Sequence, residues 1–205
     1  MKTLLADPDY ILDETKILKK LEYGWGNPVS ASVEFLLESV NYSKEAKLPI
    51  LECGSGLSTL VVGLIAKKYG NTVWSLENSK SWCKRVQHYL DKYSIDSVKL
   101  FHCPLKDYGD FFWYDVPLDA LPEVFSLVIC DGPTRQQGGR RYGLLSVLNR
   151  RFMPGCVILF DDIDSEHERN GIDYWLKELN LTYETKYEKR DPYRPFYIMT
   201  VPKNG

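Results

Sequence analysis

The sequence predicts a three-layer α/β sandwich, built on a seven-stranded, mostly parallel sheet with one antiparallel strand and with helices on both faces. Three observations predict it. From residue 49 onward, short apolar runs alternate with amphipathic stretches, the pattern of parallel strands joined by crossover helices. FSLVIC (125–130) and CVILF (156–160) are apolar enough to be buried strands, and each ends on aspartate. The tail changes character: LTYETKYEK (181–189) alternates and PFYIMTVP (195–202) is apolar. With only RDPYR between them, the two read as an antiparallel hairpin at a sheet edge.

The other elements follow in order. PILE (49–52) is a buried strand, and LSTLVVGLIAKKYG (57–70) a helix ending on Gly70, a residue suited to the position after a helix. TVWSLE (72–77) is the next strand, SKSWCKRVQHYLDKYS (79–94) a helix with Ser79 as N-cap, and SVKLFHC (97–103) a third strand. A less regular, aromatic-rich segment spans 107–122. YGLLSVLNRRFM (142–153) is a helix stopped by Pro154 and Gly155, and EHERNGIDYWLKELN (166–180) an amphipathic helix that Gly171 weakens. Residues 1–48 form a helical cap, with helices at 11–22 and 29–40 around the turn YGWGNP. Residues 49–205 form the sheet core of the same single domain.

Length and charge narrow the partners. A chain of 205 residues holds one domain with a sizeable core, and is short for two. A net charge of −2 argues against nucleic acid or an anionic membrane as the main partner. No stretch approaches the roughly 20 apolar residues of a membrane span. MKTLLADPDY meets an acid and a proline too soon for a secretory leader. Cys53, Cys83, Cys103, Cys130 and Cys156 are scattered, without a CxxC pair. They read as free thiols of a cytoplasmic protein rather than a zinc or disulfide framework.

ECGSGLST (52–59) lies where open α/β sheets take ligands, at the carboxyl end of a strand. Gly54 and Gly56 remove Cβ atoms, so a nucleoside or carboxylate can reach the N–H groups that open the next helix. Thr59 stands where a dinucleotide fingerprint has its third glycine, and no Gly-Lys-Ser/Thr ending follows. Both tell against NAD, FAD and Walker-type phosphate binding. Glu52 would repel a pyrophosphate and suits a cationic amine. Glu77 ends the second strand, where a carboxylate commonly accepts ribose hydroxyls. A ligand with a ribose, an amine and no phosphate is called for, and S-adenosylmethionine fits all three requirements.

ILECGSGLSTL (50–60), VWSLENSKSW (73–82), FSLVICDGP (125–133) and PGCVILFDDID (154–164) resemble, in order, the successive motifs of class I S-adenosylmethionine-dependent methyltransferases. They are most similar to the small bacterial branch related to methyltransferase family 24 and, more distantly, to catechol O-methyltransferases. The resemblance spans about 49–202 and implies a Rossmann-like fold. It implies Glu52, Gly54, Ser55 and Gly56 around the methionine end of the cofactor, with Ser58 and Thr59 beside them. It also implies Glu77 on the ribose, Asn78 against the adenine, and Cys103, Pro104 and Leu105 along the adenine edge, with Asp131 and Gly132 completing the set. Many relatives carry an acid at the adenine edge. This chain has none, so a backbone carbonyl would have to serve.

Methyl transfer is an in-line displacement at a sulfonium carbon, helped by positioning and, for an oxygen acceptor, by removal of its proton. Asp131, Asp161 and Asp162 end adjacent strands, which lie about 4.8 Å apart, and are the candidate catalytic residues. Two readings stand. In the metal-dependent, catechol-type relatives, acids at these positions bind a divalent cation; Asp131, Asp161 and Asp162 would then hold Mg²⁺ or a similar ion. In the metal-free reading, Asp131 or Asp161 is the base or orients the acceptor, and Asp162 caps the next segment. His167, the histidine near this cluster, suits a general base, but in so charged a helix start it reads more readily as solvated. Arg135, Arg140 and Arg141 of GPTRQQGGRRYG (132–143) suit an anionic acceptor or balance the acids. Tyr23, Trp25 and Asn27, with the aromatics of 107–115, suit a lid or plain packing. Glu168 and Trp175 match residues that similar sequences carry here.

The expected function is methyl transfer from S-adenosylmethionine to a small-molecule or sugar-like acceptor at oxygen. A non-catalytic S-adenosylmethionine-binding module, or another transferase on the same scaffold, are the alternatives. Aminopropyl transfer needs an acidic groove, and the arginine-rich loop speaks against one.

Overall fold

A computed structural model describes residues 1–27, 30–135, 138–163, 165–187, 189 and 194–203. Parts of YGWGNP, GPTRQQGGRRYG, DSEHERNG and RDPYR lie outside the described residues. Four helices come first: α1 (Lys2–Ala6), α2 (Tyr10–Asp13), α3 (Lys16–Trp25) and α4 (Val33–Glu45). Then follow β1 (Ile50–Cys53), α5 (Leu57–Lys68), β2 (Val73–Glu77), α6 (Lys80–Lys92) and β3 (Val98–His102). The hairpin β4 (Leu105–Asp107) and β5 (Phe112–Tyr114) leads to β6 (Phe125–Cys130), α7 (Gly143–Leu148) and β7 (Phe152–Phe160). The chain closes with α8 (Glu166–Glu178), β8 (Thr182–Tyr187) and β9 (Pro195–Thr200).

Seven strands form one sheet in the order β3-β2-β1-β6-β7-β9-β8. All run parallel except β9, which is antiparallel to both neighbours. This is the Rossmann-like α/β arrangement that the alternating pattern predicts. β1 sits between β2 and β6, so the winding direction reverses there and opens a crevice at the strands' carboxyl ends. β6 shows how the sheet divides the core. Leu127 and Ile129 join Phe35, Val61, Ile65 and Val86 beneath α4, α5 and α6. Val128 and Cys130 point the other way, to Trp113, Leu144, Phe160 and Ile172 beneath the hairpin, α7 and α8. The 107–122 segment thus covers its face as a hairpin, pairing Leu105 with Tyr114 and Asp107 with Phe112.

Three element boundaries differ from the sequence reading. The helix expected at 11–22 breaks after Asp13. Glu14 leaves helical geometry (φ −133), its carboxylate accepts from Lys16 N (3.4 Å), and α3 then continues to Trp25. The polar run Asp13-Glu14-Thr15 favours helix ends over interiors. The helix expected at 29–40 is Val33–Glu45, because Ser32 is its N-cap and accepts from Phe35 N (3.1 Å). The helix expected at 142–153 ends at Leu148, passes through a 3-10 turn (Asn149–Arg151) and yields to β7 at Phe152. Pro154 and Gly155 do not stop a helix. They sit in a register shift of β7 against β6, where a proline and a positive-φ glycine (82°) are tolerated.

Gly171 has a packing reason inside α8. A Cβ there would lie 2.7 Å from Cγ of the Tyr142 ring. Gly→Ala in an open helix gains about 1 kcal/mol, whereas overpacking costs about 1–3 kcal/mol. Gly171→Ala is therefore expected to lose about 1 kcal/mol net. A denaturant midpoint that rises instead would show that Tyr142 does not seat on the helix. Among the described residues, no helix is long and apolar enough to cross a membrane.

Candidate active site

The two glycines of the opening turn do different work. Gly54 follows β1 with φ 91, and a Cβ on it would lie 3.0 Å from Gly132 N. A Cβ on Gly132 would lie 2.9 Å from Gly54 Cα. The turns after β1 and β6 therefore touch backbone to backbone, which only glycine allows. Gly56, by contrast, borders open space. Its N–H donates to Thr59 Oγ1 (2.8 Å), so Thr59 fixes the turn where a dinucleotide fingerprint would have glycine.

Glu52 lies behind this turn and is fully buried. Oε1 accepts from Ser58 Oγ (2.7 Å), and Oε2 from Thr59 Oγ1 (2.7 Å) and Ser75 Oγ (2.5 Å). Burial raises its carboxyl from 4.5 to about 7, against the pull of the three hydroxyls. Glu52 and Thr59 thus brace the turn from behind, and neither lines the main cleft. Ser58 lines a small side cavity of about 40 Å³ together with Asn27, Ser55 and Gly56.

The crevice at the reversal point is a cleft of about 480 Å³, within the usual range for small-molecule sites. Gly54, Ser55, Glu77, Asn78, Ser79 and Trp82 line one side. Tyr114, Asp131, Gly132, Thr134, Arg141 and Asp162 are on the other, with Arg135 and Asn27 at its edge. A groove of about 600 Å³ along α3 and the start of α4 shares only Asn27 with it and has neither the glycine turn nor the strand-end acids. The cleft is therefore the candidate site.

Glu77 is 6% exposed and held firmly. Oε2 accepts from Ser55 N (3.1 Å) and Ser55 Oγ (2.8 Å), and Oε1 from Ser79 N (2.7 Å). A carboxylate has about four lone-pair sites. One therefore stays open on Oε1, and a second opens if the Ser55 hydroxyl turns. Ser79 also caps α6, accepting from Trp82 N (3.3 Å), and Trp82 Nε1 donates to Ser55 O (2.7 Å). Trp25 meets Trp82 edge-on, and Arg85 stacks on both rings while donating to Trp25 O (2.7 Å). Trp25 therefore packs the end of α3 against the glycine turn, while Tyr23 is almost wholly exposed. Pro104 and Leu105 do not line the cleft, and the Pro104 carbonyl accepts from Asp115 N (2.8 Å).

Three wall residues escaped the sequence reading: Thr134, which only its loop's motif covered, Trp82 and Tyr114. Trp82 is the third residue of α6, which its helical period alone cannot distinguish from packing. Tyr114 is fully buried, and its hydroxyl has no partner among the described residues. It belongs to the aromatic run at 107–115, so only its aromatic character was visible. A polar ligand in the cleft would satisfy that orphaned hydroxyl.

Asp131 and Asp161 extend the ladder one residue past β6 and β7, through Asp131 N to Cys53 O and Asp161 N to Cys130 O (2.9 Å each). Burial, then the adjacent Asp161 carboxylate, push the Asp131 carboxyl well above the usual range, while Arg141 pulls it down. Asp161 Oδ1 accepts from Asp162 N (2.8 Å). Arg141 is 5% exposed. Its Nη2 lies 2.8 Å from Asp131 O and 3.2 Å from Asp131 Oδ1, and its Nη1 2.8 Å from Asp162 Oδ2. Asp162, at φ 55, also pairs with Arg135 and Arg194.

Asp131, Asp161 and Asp162 therefore do not fit a divalent ion, contrary to the metal-dependent reading. A guanidinium already bridges two of them. A dication about 4 Å from it would meet about 8 kcal/mol of repulsion at an effective dielectric of 20. Among the described residues, no group of three or more His, Cys, Asp or Glu side chains is placed to hold a metal ion. His167 is exposed, its ring 6.2 Å from that of Tyr142. Glu168 is fully buried and accepts from Tyr142 N (3.0 Å), which ties the arginine-bearing loop to α8. Arg140 turns to its own loop at Gly139 O (3.3 Å), and Trp175 packs in the second core.

No family model and no curated protein sequence matches the chain. Solved structures match it along most of its length. A precorrin-6Y C5,15-methyltransferase from Geobacter metallireducens is 16% identical over 87% of this chain and 92% of that one, with a TM-score of 0.63. An O-methyltransferase from Bacillus cereus, in complex with S-adenosylhomocysteine, is 15% identical over 98% and 99%, at 0.60. A ribosomal protein L11 methylase from Lactobacillus delbrueckii is 13% identical over 84% and 79%, at 0.56. At these identities the likeness shows the fold alone, which is that of class I S-adenosylmethionine-dependent methyltransferases. It does not single out the family 24 or catechol branch.

Proposed function

We propose that the protein transfers a methyl group from S-adenosylmethionine to a small-molecule or sugar-like acceptor, at oxygen. The observation that carries this reading is the cleft itself: a strand-end carboxylate, Glu77, is bonded to Ser55 of the glycine turn, and both line the crevice beside the reversal point of the sheet. In this reading Glu77 accepts ribose hydroxyls, Asn78 lies along the adenine, and the open side of Gly56 admits the methionine end. The orphaned Tyr114 hydroxyl gives a polar ligand a further partner. S-adenosylmethionine supplies an electrophilic methyl carbon on a sulfonium.

Asp131 lines the same cleft as Gly54 and Glu77. We assign it the acceptor's proton. The acceptor oxygen bonds to the methyl carbon, its proton passes to the Asp131 carboxylate, and the electrons of the broken C–S bond stay on sulfur. Burial makes the Asp131 carboxylate a stronger base once ionised, and Arg141 beside it favours the ionised form. Five free thiols, four of them buried, support a reducing compartment such as the cytoplasm.

Calorimetry with S-adenosylhomocysteine, followed by turnover of labelled S-adenosylmethionine with metabolite fractions, tests the reading. The expected result is stoichiometric binding and acceptor-dependent formation of S-adenosylhomocysteine. Asp131→Asn is expected to slow turnover by about 10²–10⁴-fold, as loss of a general base does, with binding retained. Binding without turnover in any fraction would favour a non-catalytic binding module. No binding would end the reading.

A further inference from the structure

We propose that Arg141 is the resident cation of the acceptor wall, occupying with its guanidinium the place between Asp131 and Asp162 that a divalent ion would otherwise take. The inference rests on the methyl-transfer reading and goes beyond it by assigning a positioning residue. Arg141 touches both carboxylates at once, at 3.2 Å and 2.8 Å, and reaches the Asp131 carbonyl at 2.8 Å. The hydrogen bonds go from Nη2 to Asp131, and the Nη1 contact with Asp162 is an ion pair.

The surrounding chain fixes Arg141 from both sides. Arg140 N donates to Phe112 O (3.0 Å), and Tyr142 N donates to Glu168 Oε1 (3.0 Å). Gly143 lies so close to Trp113 that a Cβ would fall 2.7 Å from the ring, and Gly171 leaves room for Tyr142. Hairpin, loop and α8 thus converge on one buried guanidinium that borders the cleft. This is a built position, unlike those of the more exposed Arg135 and Arg194 on the same Asp162 carboxylate.

The arrangement also bears on the acceptor. A divalent ion rewards vicinal oxygens that chelate it, and a guanidinium already committed to two carboxylates does not. An acceptor in this cleft is therefore met by the Asp131 carboxylate and the guanidinium beside it, not by a chelating ion.

The test is a titration of the S-adenosylhomocysteine-saturated protein with Mn²⁺, followed by electron paramagnetic resonance. The wild type is expected to bind no Mn²⁺ in the cleft up to about millimolar concentration, and to show no shift in melting temperature. The triple variant Arg141→Ala, Arg135→Ala, Arg194→Ala, which clears all three guanidiniums from Asp162, is expected to bind one Mn²⁺ per chain, and to lose it again when Asp131→Asn is added. One Mn²⁺ per wild-type chain, lost in Asp131→Asn, overturns the proposal. So does a folded triple variant that binds none. If that variant does not fold, the wild-type titration decides alone. Failure of the wild type to bind S-adenosylhomocysteine would instead end the methyl-transfer reading, so the two failures are told apart on one sample.

Discussion

Glu77→Ala is expected to weaken S-adenosylmethionine binding by more than tenfold, read as the calorimetric dissociation constant. A hydrogen bond to a charged group contributes about 1.5–3 kcal/mol, which is roughly ten- to a hundredfold or slightly more in affinity. The carboxylate also organises the wall it belongs to, because Ser55 N and Ser79 N both donate to it. Removal leaves those two N–H groups to find water and loosens the glycine turn, which acts in the same direction. Two companions separate direct contact from this indirect effect. Glu77→Gln keeps the shape and one acceptor oxygen, so it should fall between wild type and alanine. Ser55→Ala leaves Glu77 in place and frees a lone pair on Oε2, so its affinity should stay within a few-fold of wild type or improve. An unchanged constant in Glu77→Ala removes Glu77 from the ribose site.

The sequence announced the sheet because parallel strands are buried on both faces and end where polarity returns. Glu77, Asp131 and Asp161 could be placed at strand ends for that reason; Glu77 and Asp131 border one crevice, while Asp161 is buried behind it and Asp162 takes its place on the wall. Boundaries set by a single side chain were harder. Ser32 caps α4 through one hydrogen bond, and Glu14 breaks the helix before α3 by leaving helical geometry; apolar periodicity carries no trace of either. Pro154 and Gly155 looked like a helix stop, but the same residues also make a bulge. The choice between the two depends on pairing with β6, far away in sequence.

Glu52 is a more instructive case, because the signal that would have placed it was present. Period-two alternation puts Ile50 and Glu52 on one face of β1 and Leu51 and Cys53 on the other. Ile50 joins the core beneath α5, while Leu51 and Cys53 join the opposite core. Glu52 therefore points at the start of α5, where Ser58 and Thr59 wait, and not outward to a ligand. The Arg141 bridge had no such signal. Its partners lie ten residues before it and 21 after it in sequence (141 − 131 and 162 − 141), and only the fold brings them together.

The buried Glu52 also makes the stability of the protein depend on pH in a direction opposite to that of most carboxylates. Its folded value of about 7 lies above the ordinary 4.5, so the folded chain holds this proton more tightly than the unfolded one. Stability from this group is fully present below 4.5 and is lost as pH rises through about 7. The shift corresponds to about 3 kcal/mol lost across that window. Glu52→Gln removes the titration while keeping the shape. The amide oxygen can accept from Thr59 and Ser75, and the amide nitrogen can donate to Ser58. Other buried carboxyls, Asp131 and Glu168 among them, are raised too and add to the wild-type slope. The informative quantity is therefore the difference between variant and wild type, measured by denaturant unfolding at about pH 5 and about pH 8. The variant is expected to gain about 3 kcal/mol on the wild type between the two. Parallel curves would mean that the three hydroxyls hold Glu52 as a stable anion, and that its burial beneath the glycine turn costs the fold nothing near neutral pH.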